Sequence, residues 1–430
     1  MMARDLRGSR TQNFKSNSTQ HFNQGYEMRP TIDPLTSLRG IAALLVVVNH
    51  VTLLMLPLGL TSAKPALIKT GILGMTTFFV LSGFVMYYNY AHKIAANRSD
   101  GISQFIFARV ARLYPLMIAY VLFNFTWNVS RSLSSANAQS TSVYVTTLPL
   151  YLLGVQSWIY AVVNDVNVTA SQYFGNPAWS ISTELFFYLL FIPLIVLRKK
   201  CAPSLWRGLL VVILSIAARG AIVALSDSVA VQQWIASRFG ESSSLSVYSW
   251  LVYYCPYGRC FEFFAGMGIA EIWLARRQRG ASKLADRLGL LAGIGGLTYI
   301  GASFLSEIAF SIPRLFEGTA THFFYVAAVP PTIYFVSRER GMATKLLSLK
   351  PLLFVGEISY SLYLVHTVAF PLFTVPSTVD IAMHAPMLAG RCIAFVAITM
   401  VFSPLLYWAL EKPARTAIMQ LLHRPATSNG

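Results

Sequence analysis

The chain has 430 residues, 55% of them hydrophobic and only 12% charged, with a formal net charge of +17 at pH 7. A mean hydropathy of +0.54 excludes an ordinary soluble domain. Basic residues that are not gathered on a soluble surface exclude a nucleic-acid partner. The composition therefore specifies an integral membrane protein whose first partner is the lipid bilayer. Its expected fold class is all-α, a polytopic helix bundle in which each backbone group is paired inside its own helix.

Residues 1–33 are rich in Asn, Ser, Gln and Arg and lack the apolar core of a signal peptide, so they are expected to be a disordered cytoplasmic tail. Ten apolar stretches follow, each near the ~20 residues that cross a bilayer: 35–57, 70–91, 113–130, 178–198, 206–226, 250–274, 287–306, 319–337, 351–374 and 388–410. They make one membrane domain over 34–413, with 414–430 left as a short cytoplasmic tail. An eleventh candidate, 143–162, carries Pro149 and Gly154. With ten crossings, 25 Lys and Arg residues fall on the side of the two termini and 6 on the other, from Lys64 to Arg391. Cytoplasmic loops are the ones enriched in these residues, so both termini are placed in the cytoplasm. A full crossing by 143–162 would abolish the asymmetry, and that stretch is expected to be re-entrant or interfacial.

Ionisable side chains inside the spans are costly and usually face a cavity. In the first span, "SLRGIAALLVVVNH", Arg39 and His50 lie eleven residues apart, on the same helix face and about 16 Å apart along the axis. In the second, "TTFFVLSGFVMYY" puts Ser82 and Gly83 at mid-membrane, a small pair suited to close helix packing or to a substrate tunnel. At the third, "FIFARVARLYP" sets Arg109 and Arg112 one turn apart, with Pro115 expected in the first turn of the span. Two adjacent guanidinium groups suit a phosphate, and they equally suit anchorage to lipid head groups. The fourth span is expected to open at Asn176 and Pro177, which places Glu184 about 10 Å in from the outer side. Arg259 and Glu262 of the sixth span are positioned to pair. His366, in "SYSLYLVHTVAFP" of the ninth, falls at the depth expected for His50 and Glu184, which suggests one shared site.

The four cysteines have no metal-ligand spacing, and no metal is expected. No GxSxG elbow or P-loop occurs, so any chemistry falls to the buried polar groups.

Taken in order, these motifs resemble the acyltransferase-3 family of integral membrane acyltransferases over about Leu35 to Pro413. "SLRGIAALLVVVNH" is similar to the family's first-span motif, "FFVLSGF" to its second-span signature and "RVARLYP" to its Arg-x-x-Arg followed by Pro. "WSISTELFFYLLFIP" resembles its Trp-Ser-x-Ser-x-Glu segment, and "VGEISYSLYLVH" and "EKP" match its last two spans. Ser37 stands where a glycine is usual, and Ala108 reduces a basic doublet. No hydrolase-like domain is expected after the tenth span.

The resemblance implies a membrane O-acyltransferase, most simply an O-acetyltransferase, of a bacterial inner membrane. It would move an acyl group from cytoplasmic acyl-CoA to a hydroxyl of a cell-surface or exported glycan, its carbohydrate acceptor. On that reading Arg39, Arg109 and Arg112 bind the donor, His50 is the general base, Glu184 orients it or takes the proton onward, and His366 stabilises charge or positions the acceptor. Direct transfer and an acyl-His50 intermediate both remain open. A transporter of a glycan or lipid-linked precursor is the alternative, although it leaves the arginine pair unexplained.

Overall fold

The computed structural model describes residues 29–55, 64–169, 177–198, 202–279, 283–305, 319–338, 341–373 and 385–422. The expected tail before Arg29 and the proposed cap Asn176 lie outside them. In chain order the helices are α1 (Asp33–Met55), α2 (Lys64–Ala96), α3 (Arg98–Ser134) and α4 (Ala138–Leu153). A two-strand hairpin, β1 (Val162–Val163) and β2 (Val166–Asn167), leads into α5 (Ala178–Leu197), α6 (Leu205–Ser226) and α7 (Val229–Phe239). Then come α8 (Pro256–Arg279), α9 (Lys283–Leu305), α10 (Thr319–Ser337), α11 (Met342–Leu347), α12 (Lys350–Glu357), α13 (Ser359–Ala369), α14 (Ala385–Leu406) and α15 (Lys412–Leu422).

Among the described residues, seven helices are long and apolar enough to cross a membrane, or eight if the bent pair α12–α13 counts as one span. A helix stands at each of the ten expected positions. Of these, α8 carries Arg259, Glu262 and Glu271 within its length, and it is not among the seven. The eleventh candidate is different: α4 has 16 residues and stops at Gly154, whose φ of +69° is a left-handed cap. At 1.5 Å per residue it reaches about 24 Å, short of the ~30 Å hydrocarbon core.

α2 is the hub, with 78% of its apolar window buried against 28% for α6. It packs on α1, α3 and α8, and α8 packs in turn on α6. Close approach is obtained by removing side chains. A Cβ on Gly83 would sit 1.9 Å from the carbonyl oxygen of Phe263, and one on Gly356 would sit 2.1 Å from that of Thr36. Gly83 is therefore a packing residue, and α12 touches α1 backbone to backbone. Ser37 adds a hydrogen bond from its hydroxyl to the carbonyl of Leu347. On the outside, Trp206, Leu210 and Leu214 of α6 and Ile393, Val401 and Leu405 of α14 stand exposed, an apolar girdle suited to acyl chains.

One expected helix start and the depth of another are corrected. The third helix begins at Arg98, where Asn97 caps it by accepting from the Asp100 amide, so Arg109, Arg112 and Pro115 lie in its interior. At 37 residues, roughly 55 Å, it extends well beyond an apolar span. The fourth begins at Ala178, within a residue of the expected start, but its first turns are buried, not level with a surface. Gln156 donates to the Ala178 carbonyl, and the Ser157 hydroxyl bonds that of Ser182, so residues 154–169 cover the helix start. At the other end of the chain, α15 gives helical structure to part of the expected tail.

Candidate active site

Four helices turn a polar face toward the centre, and each face passes through two cavities in succession. The first, of about 390 Å3, is lined by Thr36 and Arg39 of α1, by Phe79 and Ser82 of α2, by Ser180 and Glu184 of α5 and by Tyr360 of α13. The second, of about 380 Å3, is lined by Asn49 and His50 of α1, Gly71 of α2, Trp179 of α5, and His366 and Thr367 of α13. Met75 of α2 and Tyr363 of α13 line both. The helical repeat explains the layout: Tyr360, Tyr363 and His366 are successive turns of one face, and Gly71, Met75 and, two turns further on, Ser82 share another.

The first cavity is rich in arginine. Arg29, Arg39, Arg109, Arg112 and Arg415 line it, together with the carboxylates Asp33, Glu184, Glu357 and Glu411. Glu184 is already engaged, accepting from Ser82 Oγ at 2.9 Å and from Tyr188 Oη at 2.5 Å. Glu411 accepts from Ser361 at 2.6 Å. Arg109 donates to Tyr90 Oη at 3.2 Å and lies over the Tyr90 and Tyr188 rings. Among the described residues, Arg39 and Arg112 have no hydrogen bond and no ion pair within 4 Å. Their donors face the cavity, an arrangement that suits a polyanion.

The second cavity holds a histidine pair. The His50 and His366 rings meet edge to face with centroids 4.8 Å apart. Each Nδ1 lies against the carbonyl four residues earlier, Val46 at 2.9 Å for His50 and Leu362 at 3.2 Å for His366. A carbonyl only accepts, so each Nδ1 carries the proton and each Nε2 is left as the base. Trp179, Tyr248, Tyr253 and Tyr254 contribute aromatic faces to the wall, and His322 is a third imidazole there. Such a mixture of flat apolar faces and hydrogen-bonding groups is able to hold a sugar ring.

The site residues read from sequence are thus separated into two groups. Arg39, Arg109, Arg112, Ser82 and Glu184 come together in the first cavity, and His50 and His366 in the second. Glu184 does not stand beside His50. Counted from a start at the outer surface, Glu184 reaches the depth of His50, whereas Pro177 and Trp179 already line the cavity of the histidines. The sequence reading missed Arg415, His322, Met75 and Tyr363. Arg415 had a signal, since it lies on the same helix face as Glu411, four residues earlier. Against Phe79 of the first cavity and Tyr253 of the second, Arg259 pairs with Glu262 at 2.6 Å as its spacing suggested, and Arg219, from α6, is a third fully buried member at 3.9 Å. Among the described residues, no group of three or more His, Cys, Asp or Glu is placed to hold a metal ion.

Comparison with known proteins adds an independent line. The profile of the acyltransferase domain matches residues 33–410. The chain is 28% identical over 341 residues to acyltransferase MdmB of Streptomyces mycarofaciens, covering 77% of each protein. It is 27% identical over 349 residues to the exopolysaccharide production protein ExoZ of Rhizobium meliloti, covering 78% of this chain and 90% of that one. It is 24% identical over 404 residues to the peptidoglycan O-acetyltransferase OatA of Listeria monocytogenes, covering 90% of this chain but 56% of the relative. No solved structure matches.

Proposed function

The chain belongs to the acyltransferase-3 family, and on that premise we propose that it is an O-acyltransferase whose donor occupies the arginine cavity and whose acceptor occupies the histidine cavity. The observation that carries this reading is the division of labour between two cavities that share a wall: free guanidinium donors on one side, basic imidazole nitrogens on the other. Acyl-CoA, most simply acetyl-CoA, fits the first, because its 3′-phosphate and diphosphate need several fixed cations. Arg39, Arg109 and Arg112 hold them, assisted by Arg415. The pantetheine arm then points along the shared helix faces toward Met75 and Tyr363. The acceptor is a hydroxyl of a cell-surface or exported polysaccharide. Support for that class comes from two relatives, one named a peptidoglycan O-acetyltransferase and the other an exopolysaccharide production protein.

In the transfer step, Nε2 of His50 takes the proton of the acceptor hydroxyl as its oxygen attacks the thioester carbonyl. The carbon–sulfur bond breaks, and the CoA thiolate leaves with the proton returned from His50. His366, 4.8 Å away, orients His50 and the acceptor. Glu184 acts from the donor side, where it holds Ser82 and Tyr188 in place. Our reading retains ten crossings, both termini in the cytoplasm and a bacterial inner membrane as the location, supported by the distribution of basic residues. The test supplies labelled acetyl-CoA to the cytoplasmic face of inverted vesicles from cells that make the native glycan. Label is expected in glycan with the wild type and at least 100-fold less with His50→Ala at matched membrane levels. Glycan movement without label would point to transport.

A further inference from the structure

The wall between the cavities is thin, and its composition is specific. Tyr363 donates to or accepts from Ser180 Oγ at 2.7 Å, lies 3.6 Å from the sulfur of Met75, and sets its ring edge to face with Phe78. These contacts fix the tyrosine, because rotating it away would break a buried hydrogen bond. Met75 is the yielding half, an unbranched thioether with three rotatable bonds. Its backbone is not free to retreat. The preceding residue, Gly74, is pressed on α1 so closely that a Cβ there would lie 2.7 Å from the Ala42 carbonyl oxygen. Any adjustment at the wall must therefore come from the Met75 side chain.

We propose that Met75, braced by Tyr363, is the gate through which the acyl group passes and the residue that sets its length. The inference rests on the donor and acceptor assignment above. When the thioester carbonyl reaches His50, the sulfur–carbon bond spans the wall and the acyl carbons lie just beyond it, against the face that Met75 and Tyr363 turn to the histidine cavity. An acetyl group needs room for one methyl, which a rotamer change of Met75 supplies. A longer chain must displace the methionine or bend back on itself. Confined apolar sites discriminate a single methylene by about 10- to 200-fold.

The experiment gives the full-length protein in inverted vesicles an equimolar mixture of acetyl-CoA and butyryl-CoA. The acyl groups released from the glycan are then counted by mass. Wild type is expected to transfer acetyl in large excess. Met75→Ala should raise the butyryl-to-acetyl ratio at least tenfold, and Met75→Leu, which refills the volume, should stay within threefold of wild type. Because the ratio is internal to each sample, it does not depend on how much protein folds. If Met75→Ala does not accumulate, Met75→Val is expected to shift the ratio in the same direction. An unchanged ratio in an active truncated variant, or a wild type that transfers both groups equally, overturns the gate and leaves the acyltransferase reading intact. Transfer of neither group by wild type overturns that reading, and the gate with it.

Discussion

His50 and His366 each spend one ring nitrogen on a carbonyl of their own helix, and that local bond decides what the other nitrogen is able to do. Replacing His366 by Asn keeps a hydrogen-bonding group but removes the base. If His366 acts through His50, the variant should lower kcat while leaving the donor KM within about threefold, read from initial rates of acyl transfer. Arg112→Ala should do the reverse. Losing one charge-assisted bond to a phosphate costs about 1.5–3 kcal/mol, which raises the donor KM roughly 10- to 150-fold with little change in kcat. The buried triad makes a different prediction. Glu262→Gln leaves Arg219 and Arg259, both fully buried, without their counter-charge, and should destabilise the protein by about 3–5 kcal/mol, visible as a lower Tm in detergent. The arginines and histidines were legible in the sequence because an ionisable residue in an apolar helix is conspicuous. Met75 and Tyr363 were not, since nothing in an apolar run distinguishes a residue that lines a cavity from one that packs.

The helices owe their placement to a few positions without side chains. Gly356→Ala would drive a methyl group into the Thr36 carbonyl, and α1, which carries Arg39 and His50, would have to move. Overpacking of this kind costs roughly 1–3 kcal/mol. By contrast, Gly301→Ala on α9 meets nothing within 4 Å and should stabilise the helix by up to about 1 kcal/mol. Thermal unfolding of the two variants side by side tests the difference. The hairpin is a second such element. Asn164 and Asp165 have φ of +49° and +66° and close a two-residue turn between β1 and β2. Asp165 accepts from the amide and hydroxyl of Ser243, bonds that hold its carboxyl below the usual carboxylate range. A lowered folded-state value means that this contribution is complete above the unfolded value, near 3.8, and disappears as the pH falls through the lower folded one. The Ser242–Ser244 segment should resist limited proteolysis equally at pH 5 and pH 8 and open only in stronger acid. No sequence periodicity announces so short a hairpin. The depth of α5 was equally hidden, because its start is buried by residues 154–169, which reach it from outside the helix.

At the scale of the molecule, apolar runs of about 20 residues gave the class of fold and the order of the helices, because a bilayer requires the backbone to pair internally and runs of that length do so as helices. The depth of each group was harder to read. Counting residues from an assumed surface placed Glu184 with His50, whereas packing places it with the arginines. Topology has its own check: single cysteines introduced near Arg340 and near Arg238 should react with a membrane-impermeant reagent from opposite faces of sealed vesicles. The wall of Met75 and Tyr363 has an electrical consequence. On the proposed topology, with the arginine cavity open to the cytoplasm and the histidine cavity to the other face, a large part of the membrane voltage falls across a few ångströms of protein. Each unit charge carried through 100 mV involves about 2.3 kcal/mol of work. An acyl group carries none, and the phosphates remain with the arginines. The chemistry can then proceed at the same rate in an energised cell and in a depolarised one, because what crosses the field is neutral.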